Sequence, residues 1–103
     1  MDDKLFPKYL KKGSRGPAVA FLQALLLAQD FNPSIIVDGE YGGQTALGVE
    51  KLQKFLNNWR GSQLKVDGNF GPATRETYKQ YFKLDVDGLP ASIFAGTTEV
   101  APA

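Results

Sequence analysis

Neither histidine nor cysteine occurs anywhere in the 103 residues. A Ser-His-Asp or Cys-His engine therefore cannot be assembled. Thiolate ligands and disulfides are absent, and a hydrolytic zinc site, which leans on imidazole, is not expected. The remaining groups with catalytic potential are carboxylates, chiefly Glu40, Glu50 and Glu76. A lytic glycosidase needs one of a carboxylate pair raised in pKa inside a cleft. These three fall in polar or helix-surface contexts, and a core this small leaves no room to wall off a deep cleft. Asp85-Val86-Asp87-Gly88 resembles the opening of a calcium loop but lacks the bidentate glutamate at the right distance. The expectation is a chain without catalysis, metal or cofactor.

Binding chemistry is better represented, and it comes with a repeat. Val37-Asp38-Gly39-Glu40-Tyr41-Gly42-Gly43-Gln44-Thr45 matches Val66-Asp67-Gly68-Asn69-Phe70-Gly71-Pro72-Ala73-Thr74. Val86-Asp87-Gly88 is a degenerate echo or chance. In each full copy the aspartate can accept backbone N–H groups in an Asx turn, and the next glycine can take positive φ. The aromatic can pack back onto the core, and the following glycine lets the chain turn into a helix. Each motif thus reads as a turn, a hydrophobic pin and a helix start, with Asp38 and Asp67 as turn-makers before they are ligand contacts.

Three helices must carry these turns. Pro17 opens the first, which runs to about Gln29 with Val19, Leu22 and Leu26 on one face and Phe21, Leu25 and Ala28 on the next. The second starts near Gln44-Thr45, repeats Val49, Leu52, Phe55 and Leu56 at helical spacing, and should stop around Asn57-Asn58. That end would leave Trp59-Arg60-Gly61-Ser62 in a loop. The third opens at Pro72, with Tyr78, Tyr81 and Phe82 on one side. The reading is an all-α, compact three-helix bundle with short extended turns. Residues 1–83 form the domain, and residues 84–103 form a tail expected to be loose.

Composition agrees with one such domain. Hydrophobic residues are 43% and charged residues 22%, ordinary for a globular chain. Twelve Lys and Arg face eleven Asp and Glu, too even a balance for nucleic-acid binding as the main task. The positive charge is uneven: residues 50–83 carry seven Lys and Arg against Glu50, Asp67 and Glu76. That would suit an anionic polymer, and equally a solvated helical face. The longest mostly apolar stretch, Ala18–Ala28, is interrupted by Gln23 and too short to span a bilayer. No signal peptide is read at Met1-Asp2-Asp3, so either export takes another route or the domain belongs to a longer protein.

The opening Gly13-Ser14-Arg15-Gly16 through Val19 and Leu22-Gln23 joins the two motifs, Leu52-Gln53 and Thr74 in a pattern covering roughly residues 8–82. This pattern resembles the peptidoglycan-binding domain family of small three-helix cell-wall modules. Two departures stand out. The stretch from Gln53 to Asp67 is a few residues long for the family, and nothing beyond Phe82 has a counterpart. The resemblance implies non-catalytic attachment to bacterial peptidoglycan, glycan or stem peptide, with a lytic or wall-modifying enzyme as a linked domain. The expected place of action is the cell wall or the extracellular or periplasmic space, and the expected working unit is a monomer.

The ligand groove is expected near the two motif loops and the Trp59 loop. Trp59 would stack on a sugar face or else cap the core. Arg60 would fork onto a stem-peptide carboxylate or remain a solvated loop charge. Tyr41 is read as a core pin whose hydroxyl reaches the surface. Gln44 would meet a peptide ligand or act as a cap, and Asp38 completes the candidate set. The alternative function is a protein-interaction or pro-region module on the same fold. The zinc-blocking cysteine of metalloprotease pro-regions is missing, which leaves contact through the aromatic third helix.

Overall fold

The computed structural model describes residues 9–61, 63–84 and 96–97, without the side chain of Arg60. Three helices, α1 (Pro17–Ala28), α2 (Gly43–Arg60) and α3 (Pro72–Phe82), follow one another, and α2 packs against both of the others. No strand forms among the described residues. Extended contact is limited to two isolated antiparallel bridges, Leu10 with Phe70 and Arg15 with Glu40.

Each helix starts at a glycine N-cap, Gly16, Gly42 or Gly71, none of which has a side chain to cap the first turn. Proline at the first position begins α1 and α3, where its missing N–H leaves no bond unmade. The core lies where α2 meets α1 and α3. Val19, Leu22 and Leu26 of α1, Val49, Leu52 and Leu56 of α2, and Phe70 and Tyr78 are fully or almost fully buried. The residues that complete it from the loops are Leu10, Ile35 and Tyr41.

The second helix runs longer than its composition suggests. Asn57 does not end it; its side chain instead clamps the returning chain, donating to the Leu64 carbonyl at 3.0 Å and accepting the Leu64 N–H at 2.8 Å. Gly61, in the left-handed region at φ 62°, is the terminator. Trp59 and Arg60 are therefore on the last turn of a helix, not in a loop. Phe55, expected in the core, sits at its edge with Phe31, Tyr81 and Phe82 around it.

Most of the 84–103 tail lies outside the described residues. Thr97, within it, is held against the domain: its hydroxyl accepts the Ala18 N–H at 2.9 Å and so caps the start of α1, which Gly16 cannot do.

Candidate functional site

Two buried glutamines organise the two motif turns. Gln23 on α1 and Gln53 on α2 are each 1% exposed. The Gln23 amide nitrogen donates toward Asp38 Oδ1 at 3.1 Å, the Glu40 carbonyl at 2.9 Å and Thr45 Oγ1 at 3.0 Å. Its oxygen accepts the N–H groups of Asp38 at 3.0 Å and Gly39 at 2.9 Å. Gln53 repeats this on the second copy, with Asp67 Oδ1 at 3.1 Å, the Asn69 carbonyl at 3.0 Å and Thr74 Oγ1 at 3.0 Å. It accepts from Asp67 and Gly68 at 3.1 and 3.0 Å. A primary amide can serve a turn in this way because it offers both donors and acceptors on one rigid plane.

The aspartates close the turns locally. Asp38 Oδ1 accepts the Glu40 N–H at 2.9 Å, and Asp67 Oδ1 the Asn69 N–H at 3.0 Å. These are Asx turns, and Gly39 and Gly68 sit in them at φ 76° and 77°, where a side chain would be strained. The Glu40 N–H, then the Gln23 amide, hold the Asp38 carboxyl below its ordinary pKa. It is an ionised acceptor, the reverse of the raised acid a glycosidase requires.

The structure separates the five sequence candidates. Asp38 and Gln44 come together in a cleft of about 180 Å³ at the start of α2, with Ser34, Ile36, Glu40 and Gly43 among its walls. Gln44 is exposed there, and its side-chain and main-chain oxygens both accept from the buried Asn32 amide at 2.9 Å. Ile36 is 72% exposed.

Tyr41 does not reach this surface. It is buried, and its hydroxyl points inward to donate to the Gly68 carbonyl at 2.6 Å. Burial holds the phenol far above its ordinary pKa, so it is a neutral strut between the two motif turns.

Trp59 lies at the opposite end of α2. Fifteen residues at 1.5 Å each put it about 22 Å along the axis from Gln44. Its ring meets Tyr81 edge-on, with centroids 4.8 Å apart, and it remains 42% exposed. It thus covers the α2–α3 seam and still keeps an exposed face. Arg60 follows it on the last turn, with its side chain outside the described residues. Among the described residues, the cleft at the first motif loop does not extend to Trp59.

The second copy has its own depression, about 360 Å³, lined by Tyr9, Lys65, Asp67, Asn69 and the start of α3. Here the Tyr9 ring lies over Gly71: a Cβ on that glycine would meet it at 3.2 Å. At Gly42, the equivalent position, and at Gly43, nothing lies within 4 Å.

The sequence pattern includes Gln23 and Gln53 but assigns them no role. Gln23 reads as a polar break in an apolar run, yet each motif is preceded by the same Leu-Gln pair. That recurrence was the available signal.

Comparison with known proteins identifies the family. The sequence profile of the family described as "Putative peptidoglycan binding domain" matches residues 15–77, which contain both glutamine clamps. The "N-acetylmuramoyl-L-alanine amidase CwlL" of Bacillus licheniformis is 40% identical over 68 residues, covering 65% of this chain and 17% of that protein. A "Probable N-acetylmuramoyl-L-alanine amidase" of the same organism is 40% identical over 68 residues, 65% of this chain and 18% of its own length. The chain thus spans less than a fifth of either relative. No solved structure matches.

Proposed function

The chain belongs to the peptidoglycan-binding domain family, and from that premise we propose that it attaches without catalysis to bacterial cell-wall peptidoglycan. In this reading it raises the local concentration of a wall-acting enzyme, of which the amidase relatives are examples. The place of action is the wall, and the working unit is a monomer. The observation that carries the reading is the family match over residues 15–77, the segment that the duplicated turn-and-clamp unit builds.

The surface supports attachment at two separate places. One is the first-copy cleft with Asp38 and Gln44. The other is the exposed Trp59 face, which would stack on a sugar ring, with Arg60, the next residue in the sequence, as the candidate for a stem-peptide carboxylate. Both are shallow, so affinity at each is modest and gains from a repeating polymer. The protein-interaction reading loses Tyr78, which is 1% exposed beneath α3, and keeps only the half-buried Tyr81 and Phe82.

Co-sedimentation with purified, protein-free sacculi tests the reading. Saturable pelleting is expected, reduced in Trp59→Ala. Failure to pellet across several wall chemistries and salt concentrations would contradict it.

A further inference from the structure

We propose that the first-copy cleft takes the peptide arm of the wall polymer, not its sugar, and that the second copy has lost this site. The inference rests on the wall-binding reading and narrows it to one cleft and one chemical class.

The two copies share their turn, clamp and glycine N-cap, so what differs between them identifies what one can bind and the other cannot. In the first copy the floor is Gly42-Gly43, open above both glycines. The first turn of α2 has no side-chain cap, and Gly43, which keeps its main-chain N–H, is among the residues lining the cleft. The second copy replaces Gly43 by Pro72, which has no N–H, and covers Gly71 with the Tyr9 ring. Tyr9 is fixed there by its neighbour, because Leu10 exchanges both main-chain hydrogen bonds with Phe70, at 3.1 and 2.8 Å. The second depression is the larger in volume, but its glycine floor is occupied by the protein's own ring.

The chemistry of the open cleft is that of a peptide site. None of its walls is aromatic, whereas the CH face of a sugar calls for an aromatic platform; the exposed Trp of this chain is about 22 Å away along α2. Instead the cleft offers Ile36, an aliphatic surface for a short side chain such as alanine's methyl. The Ser34 hydroxyl and exposed main chain can pair with amides. Two carboxylates, Asp38 and Glu40, stand at one wall and suit the free amine of a stem-peptide diamino acid. Asp38 keeps its charge because the Glu40 N–H and Gln23 amide stabilise the carboxylate. The clamp that shapes the turn thus also fixes one of the two acids.

The test titrates the whole chain with three probes: a synthetic stem tetrapeptide with a free diamino-acid amine, the same peptide acetylated on that amine, and chitotetraose. Binding is followed by calorimetry, with sacculi pelleting in parallel. Gly42→Leu fills the cleft, and it should fold normally because Gly42 has φ −113° and nothing within 4 Å of a Cβ. Glu40→Gln removes one carboxylate from an exposed position without filling space.

The expected result is saturable binding of the free-amine peptide, weakened about tenfold or more by Gly42→Leu and several-fold by acetylation or Glu40→Gln. Equal peptide affinity in Gly42→Leu and wild type would overturn the proposal, as would chitotetraose binding that Gly42→Leu abolishes. A wild-type chain that pellets with sacculi but ignores the peptide would overturn it while leaving wall attachment intact. A chain that does neither would remove both.

Discussion

The two motif copies are nearly superimposable in their hydrogen bonds and unlike in what surrounds them. Gln23 and Gln53 reach the same five partners at distances that agree to about 0.1 Å. Around this shared frame the first copy keeps Gly42-Gly43 bare, while the second carries Gly71-Pro72 under Tyr9. The aromatic pins differ too. Tyr41 sends its hydroxyl to Gly68 of the other copy, and Phe70 has no hydroxyl to return. The comparison separates the clamp, which both copies share and which shapes the fold, from the surroundings, on which the proposed difference in binding rests.

The largest expected effect comes from cutting the clamps. Gln23→Ala and Gln53→Ala each remove five hydrogen bonds, two of them buried, and leave the buried turn N–H of Gly39 or Gly68 without its acceptor, a loss of about 3 kcal/mol. Urea unfolding of both variants measures it. Equal losses would confirm that the copies are equivalent as structure, and an intact Gln53→Ala would break that equivalence.

Next come the positive-φ glycines. Gly39→Ala and Gly68→Ala should each cost about 1–2 kcal/mol in thermal or urea unfolding. Gly68→Ala should be the worse, because its Cβ would lie 3.1 Å from the Ala46 carbonyl, against 3.3 Å from the Gly16 carbonyl at Gly39.

Tyr41→Phe tests the strut between copies. Leaving the Gly68 carbonyl without its donor should cost about 1–2 kcal/mol near neutral pH. The folded-state phenol titrates above its unfolded value of 10.0, so its contribution is complete below that pH and is lost as pH rises beyond it. Stability of the wild type should therefore fall above pH 10, and less steeply in Tyr41→Phe, with a residual slope from the buried Tyr78, whose pKa is raised for the same reason.

The smallest effect belongs to Asp38. Its folded pKa lies below the ordinary 3.8, so it stabilises above that pH, and the contribution disappears as pH falls through the folded value. An acid titration of Asp38→Asn should show a shallower loss below pH 3.8 than the wild type.

Much of this frame was legible in the sequence because it depends on local chemistry. Proline at the first position marked two helix starts, apolar spacing marked the buried faces, and the Asp-Gly pairs marked the turns. The end of α2 was misread because Asn57-Asn58 is poor helix composition; tertiary bonding of Asn57 to Leu64 and the left-handed Gly61 override it. The direction of the Tyr41 hydroxyl was not legible, since its acceptor lies in the other copy. Nor was the separation of Trp59 from Gln44, which follows from one helix continuing through both. The contrast between the clefts depends on Tyr9 meeting Gly71 across the fold, a contact no spacing rule supplies.

The most direct measurement follows backbone amide signals of the whole chain during titration with muramidase-solubilised sacculus fragments. The account predicts that shifts concentrate at Ser34, Ile36 and Gly42–Thr45, and that Tyr9, Lys65, Gly71, Ala73 and Thr74 stay unperturbed. Shifts of equal size at both copies, or confined to the second, would contradict it.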